Sequence, residues 1–167
     1  MEKVLVEQAR NGDRAAMRQI YDCYSRYLAA TCSRYLPDGG DLRDVLQDSF
    51  VKIFSSLGKF DYRGEGSLKA WMRQISFNEA LIFIRKRKRS DTVEYKWDLP
   101  DKEEEEEPDV GSVPPGVIQK MIQALPEGYR TVLNLYAFEE KSHKEIAALL
   151  GITESTSASQ LHRARAI

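Results

Sequence analysis

The chain is poor in the residues that build metal centres, disulfide frameworks and histidine-based active sites: its 167 residues include two cysteines and two histidines. Cys23 and Cys32 stand in an apolar helical pattern, not at a metal-ligand spacing, so a disulfide or zinc site is not expected and both read as reduced core cysteines of a cytoplasmic protein. His143 and His162 have no acid, base or metal constellation around them, and no phosphate-binding glycine motif occurs, so neither an enzyme nor a cofactor is expected. Long apolar runs are missing as well. Even Ala80 to Ile84 is short and runs straight into charge, and the N-terminus has no signal pattern, which argues against membrane insertion.

What the chain has instead is charge, unevenly held. Its formal net charge is −1, yet residues 1–90 carry +6, residues 91–115 carry −8 and residues 116–167 carry +1. One acidic segment masks a basic N-terminal half, and for a polyanionic partner the distribution matters more than the total. Segment 91–115 loses helical periodicity, contains Glu103 to Glu107 among prolines, and reads as a flexible acidic linker. Its 25 residues reach roughly 80 Å fully extended and about 25 to 30 Å as a relaxed coil. Val93, Tyr95, Trp97 and Leu99 alternate within it, which leaves a brief strand-like contact open.

On either side of the linker the apolar residues recur at helical steps, predicting an all-α protein of two small domains, 1–90 and 116–167. Val4 to Arg10 predicts a short helix broken at Asn11-Gly12, and Asp13 is placed to cap a longer one with Met17, Ile20, Tyr21, Tyr24, Tyr27, Leu28, Thr31, Cys32 and Tyr35 on its wide buried stripe. Asp41 is expected to cap a third helix, with Val45, Leu46, Phe50, Ile53 and Leu57 inward and Asp44, Gln47, Asp48 and Lys52 on a polar outer face. Phe60 to Gly66 mixes glycine with aromatics, an unusual composition for a connector, and Ser67 is expected to cap a fourth helix that buries Leu68, Trp71, Met72, Ile75 and Ile82. That helix ends in Arg85, Lys86, Arg87, Lys88 and Arg89. Five cations beside exposed aromatics suit a single-strand surface, where bases stack on rings and phosphates follow the charge; a helix C-terminus stabilised by its macrodipole is the plainer reading.

After the linker, Val117, Ile118, Met121, Ile122 and Leu125 predict one helix and Tyr129 to Phe138 another. Ser142 to Arg165 then has the punctuation of two short helices joined by a tight turn. Ser142 and Glu145 form a capping-box pair, Gly151 suits a left-handed stop, and Thr153 caps a second helix from Glu154 onward. On that last helix Thr156, Ser159, Gln160 and Arg163 share one face, while Ser157, Leu161 and Ala164 share a neighbouring face that can pack inward. Taken alone, such a hairpin fits an ordinary helical domain as well as a reader of DNA.

The three segments together resemble an extracytoplasmic-function sigma factor, one of the small two-domain initiation subunits of bacterial RNA polymerase. DLRDVLQDSFVKIF at Asp41 to Phe54 is similar to the family's polymerase-binding helix, and FDYRGEGSLKAWMRQISFNEAL at Phe60 to Leu81 to its promoter-melting and minus-ten segment. LPEGYRTVLNLYAFEEKSHKEIAALLGITESTSASQLHRAR at Leu125 to Arg165 is similar to its domain for the minus-thirty-five element. The resemblance implies that Asp44, Gln47, Asp48 and Lys52 dock on core RNA polymerase. It implies that Phe60, Tyr62, Arg63, Trp71, Arg73 and Asn78 capture unpaired bases of promoter DNA, with Arg85 to Arg89 on nearby phosphates. In the second domain, Thr156, Ser159, Gln160 and Arg163 would read base edges, while Lys141, His143, Lys144 and Arg165 hold phosphates. An anti-sigma partner and a monomeric free state are implied too. Ser157 stands where many members carry an apolar residue, Ala158 where many carry Lys or Arg, and Phe77 and Ile82 where basic and polar residues are frequent. The chain stops at Ile167 without the family's usual basic tail, which reads as a truncated end.

Two alternatives remain at this point. A stand-alone helix-turn-helix regulator would self-associate and bind closed duplex at a palindromic site, and a protein-binding helical adaptor would leave the face of Thr156 and Arg163 without a nucleic-acid role.

Overall fold

The structure, a computed structural model, describes residues 1–90 and 114–166, without the side chains of residues 88–90 and Pro115. The linker expected over residues 91–115, apart from its two last prolines, therefore lies outside the described residues, as do the side chains of Lys88 and Arg89. Among the described residues there are eight α-helices and one short 3-10 turn: α1 (Glu2–Arg10), α2 (Arg14–Ser33), α3 (Gly39–Ser56), the turn Leu57–Lys59, α4 (Ser67–Ser90), α5 (Pro115–Ala124), α6 (Glu127–Ala137), α7 (His143–Leu150) and α8 (Glu154–Ala166). The chain forms two compact units, Met1–Phe83 and Ile84–Ile167, the division falling inside α4.

Local chemistry explains most of the helix ends. Asp13 caps α2, its carboxylate accepting the Ala15 and Ala16 amides at 2.9 and 3.3 Å. The cap of α3 is Asp38, not Asp41: the Asp38 carboxylate accepts the Asp41 N–H at 3.0 Å, and Asp41 falls in the first turn, where its charge suits the helix dipole. Gly39 and Gly40, which read as a turn, are the first helical residues. Ser67 does not cap α4 either. Gly66 O accepts the Ala70 N–H at 3.0 Å, while the Ser67 hydroxyl turns back to donate to Gly64 O at 2.6 Å.

The core of the first unit is built from Val6, Ala9, Ile20, Leu28, Phe50, Ile53, Leu57, Leu68 and Met72, joined by Phe60 from the loop. Leu28, Ile53, Leu68 and Met72 have no exposed surface, and burying each contributes about 1.5 to 3 kcal/mol before entropy is set against it. On α4, Leu68 and Met72 are buried as expected, Trp71, Ile75 and Ile82 are only half-buried, and Phe77, Ala80, Leu81 and Ile84 are buried too. Phe77 meets the edge of Tyr35 at 5.9 Å. In the second unit α6 packs on α7 and α8, around Leu125, Tyr129, Val132, Leu135, Ile146, Leu161 and Ala164. The apolar stripe expected on α5 splits. Ile122 and Leu125 are buried, whereas Val117 and Met121 are 45% and 58% exposed.

Candidate nucleic-acid interface

The loop between the 3-10 turn and α4 is fastened before it begins. Arg10, at the end of α1, donates Nε to Leu57 O at 3.0 Å and Nη2 to Phe60 O, tying the loop's first residue to a helix about fifty positions earlier. Phe60 is buried, at 6% exposure. Its ring lies 4.8 Å from Trp71 and 6.4 Å from Tyr62, the latter edge-on. Phe60 is drawn into the core as a floor, and the half-buried Tyr62 and Trp71 carry the accessible aromatic surface beside it. Gly64 and Gly66 bend the loop with φ of 118° and 87°, a region that side-chain-bearing residues rarely adopt.

Along α4, Trp71, Asn78 and Arg85 fall seven residues apart and so share one side of the helix. Asn78 is exposed and accepts from Gln74 Nε2 at 3.1 Å. Arg73 sits about 200° round the helix from Trp71 and is half-buried, its charge acting on the buried thiol of Cys32. The structure does not bring Arg73 onto the face of Trp71 and Asn78. Arg63 is exposed and pairs with Asp61 at 3.1 Å, and Arg85 and Lys86 are exposed. Arg87 is half-buried and pairs within the second unit with Glu127 at 2.9 Å.

On α3, Asp44, Gln47 and Asp48 are exposed as a set. Lys52, also exposed, is engaged within the unit, since Nζ lies 2.8 Å from Glu79 Oε1 of α4. Beside Gln47 runs an open groove of about 560 Å³, floored by Leu42, Leu46, Phe50 and Phe54 and walled by Tyr21 of α2. Tyr21 and Val51 are 45% and 66% exposed at its edge.

The helix-turn-helix forms as its punctuation predicts. Ser142 accepts the Glu145 N–H at 3.2 Å, Gly151 stops α7 at φ 66° and ψ 36°, and Thr153 accepts the Thr156 N–H at 3.1 Å. Ser157, Leu161 and Ala164 are buried, which turns Thr156 and Ser159 to solvent and leaves Gln160 and Arg163 half-buried. The Gln160 amide lies against the start of α6, where a Cβ on Gly128 would meet its Nε2 at 3.3 Å. The expected phosphate-holding residues are less free than their sequence suggests. Lys141 lies 3.8 Å from Glu145, and the Arg165 guanidinium sits 5.5 Å over the Tyr136 ring. The His143 ring stacks on Tyr136 at 5.1 Å, with Nδ1 2.9 Å from the Ser157 hydroxyl; Lys144 is exposed.

Arg10 and Arg130 are the positioning residues that sequence reasoning missed. Arg130 is 7% exposed and donates Nη1 to Gln123 O and Leu125 O at 3.1 and 3.0 Å, closing the turn from α5 into α6. Burial lowers its pKa from the ordinary guanidinium value, while Glu127 acts in the opposite direction.

Comparison with known proteins places both units. Residues 20–90 match the model of Sigma-70 region 2, and residues 116–167 that of Sigma-70 region 4. Among curated proteins, the ECF RNA polymerase sigma-E factor of Salmonella typhimurium is 28% identical over 98% of this chain and 90% of its own length. The RNA polymerase sigma-H factor of Pseudomonas aeruginosa is 29% identical over 96% and 88%. Among solved structures, an engineered region 2 of sigmaE in complex with GTAAAA is 31% identical with a TM-score of 0.50, covering 56% of this chain and 95% of that one. CnrH in complex with the cytosolic domain of CnrY is 25% identical with a TM-score of 0.48, covering 98% and 91%. The chain belongs to the sigma-70 family, in its extracytoplasmic-function group. It is a sigma factor, a non-catalytic subunit that binds core RNA polymerase and directs promoter-specific initiation.

Proposed function

We propose that two stretches of the chain divide promoter recognition between them, with residues 1–90 docking on polymerase and opening DNA and residues 116–167 holding duplex upstream. The observation that carries this reading is the aromatic deck of the first unit: Tyr62 and Trp71 gathered over buried Phe60, with Asn78 on the same side of α4 as Trp71. Stacking a base on such a ring contributes roughly 1 to 3 kcal/mol and offsets the cost of unpairing it. The relative solved with GTAAAA matches this unit, which supports single-stranded DNA as its ligand. Arg63, Arg85 and Lys86 supply phosphate contacts, and Arg73 acts from the far side of the helix as support.

Polymerase docks on the exposed set Asp44, Gln47 and Asp48, and the neighbouring groove extends that face with apolar surface. In the second unit Thr156, Ser159, Gln160 and Arg163 meet base edges in the major groove, and Lys144 meets phosphate. The protein works in the cytoplasm as a monomer when free, and an anti-sigma protein restrains it. Among the described residues no helix is long and apolar enough to cross a membrane.

Run-off transcription with core polymerase on genomic DNA tests the reading. The wild-type protein should direct discrete starts, Gln47→Ala should lower output by weakening core binding, and Arg163→Ala should lower it by weakening upstream contact. A wild-type protein that directs no start defeats the proposal.

A further inference from the structure

Several contacts hold α8 against the rest of its unit: Leu161 and Ala164 are buried, the Gln160 amide lies beside Gly128 and the Arg165 guanidinium sits over the Tyr136 ring. Apolar burial sets which face turns inward but has no direction of its own, so it fixes the rotation only coarsely. Ser157 is different. It has no exposed surface, and its hydroxyl lies 2.9 Å from His143 Nδ1, at the start of α7. A hydrogen bond is directional, and a buried hydroxyl that loses its partner bears its full desolvation cost, so this contact favours one rotation of α8 over others. The histidine is itself held from the side: its ring stacks on Tyr136 of α6 at 5.1 Å with 20° between the planes. One imidazole therefore joins α6, α7 and α8.

We infer that His143 is a positioning residue for α8, setting through Ser157 the rotation at which Thr156, Ser159, Gln160 and Arg163 are presented to DNA. The inference rests on reading α8 as the duplex-reading helix and changes the role of His143 from phosphate contact to pin. Rotation matters because successive residues on a helix are about 100° apart, so a slip of a fraction of that angle moves every base-reading side chain together. The hydrogen bond is available to either ring state, since a neutral Nδ1 accepts from the hydroxyl and a protonated Nδ1–H donates to it.

The test is a double-mutant cycle in the full chain, assembled with core polymerase on a promoter fragment that the wild-type holoenzyme is shown to use. His143→Ala and Ser157→Ala should each weaken upstream duplex binding about tenfold, the scale of one hydrogen bond, and the double variant should be no weaker than either alone. His143→Asn, whose side chain places a polar atom near the position of Nδ1, should recover most of the loss. Both single variants should also relax the preference among base substitutions in the upstream element, which loss of a phosphate contact would not do. Additive losses in the cycle, or weakening without relaxed preference, would overturn the inference. A parallel cycle in thermal unfolding of the free chain reads the His143 to Ser157 coupling without DNA. Coupling there, with no upstream effect of Arg163→Ala, would indicate that the reading of α8 had failed while the pin stood; absence of coupling there removes the pin itself.

Discussion

Cys32 shows how one buried atom fixes a pH response. Its thiol is fully enclosed in the first unit and donates to Ser76 O at 3.7 Å. Burial pushes it from an ordinary value of 9.0 to about 12, with Arg73 pulling the other way. A pKa raised on folding means that the native state favours the protonated form, so the stabilising contribution is complete below pH 9 and is lost as pH rises towards 12. Tyr24 joins above pH 10, because burial and its bond to Glu2 raise its phenol to about 12. Denaturant unfolding of the wild type should therefore show stability falling above pH 9 and more steeply above pH 10, and Cys32→Ala should flatten the fall between 9 and 12. Cys23, expected in the core, is exposed instead and should react with a thiol reagent under native conditions, while the buried Cys32 does not.

Among the helices, several limits set by nearby residues were legible, the starts of α3 and α4 were not, and contacts to distant carbonyls left no trace in the sequence. Asp13, Ser142, Gly151 and Thr153 act on amides or dihedrals within four positions, and each does what its spacing predicts. Gly39 and Gly40 look like a turn and so point to Asp41 as the cap, although the first turn of a helix tolerates them once Asp38 holds it. Arg10 and Arg130 were invisible for another reason: their acceptors are main-chain carbonyls, which any sequence supplies. The clamp by Arg10 carries a consequence for the loop. Arg10→Ala should cost the first unit about 1 to 3 kcal/mol in unfolding measurements, the range for bonds made by a charged donor. In holoenzyme it should also slow strand opening, followed by 2-aminopurine fluorescence at the melted bases, more than it weakens duplex binding. Equal effects on both steps would mean that Arg10 serves stability alone.

At the scale of the whole molecule, each unit has its own core, so damage to one should be separable from the work of the other. Leu135, fully buried in the second unit, gives the test. Leu135→Ala should destabilise that unit by about 2 to 5 kcal/mol and abolish upstream contact, yet leave binding to core polymerase through α3 measurable by pull-down. The division into two helical domains was legible from periodicity and charge. The residues proposed to capture bases could be picked out by composition but not placed, because helical phase and burial, which carry Arg73 to the far side and Phe60 beneath its neighbours, depend on what packs against them.

The ion pair between Lys52 and Glu79 has a further consequence, for rates. With that ammonium neutralised at 2.8 Å, the exposed surface of α3 keeps two carboxylates, Asp44 and Asp48, against the single guanidinium of Arg43. A partner diffusing towards this face is drawn in if its own surface is basic, and the attraction acts over about 8 to 10 Å at physiological salt. If polymerase docks on this face as proposed, its speed of encounter should fall as ionic strength rises, while apolar contacts in the groove alongside would be insensitive to salt.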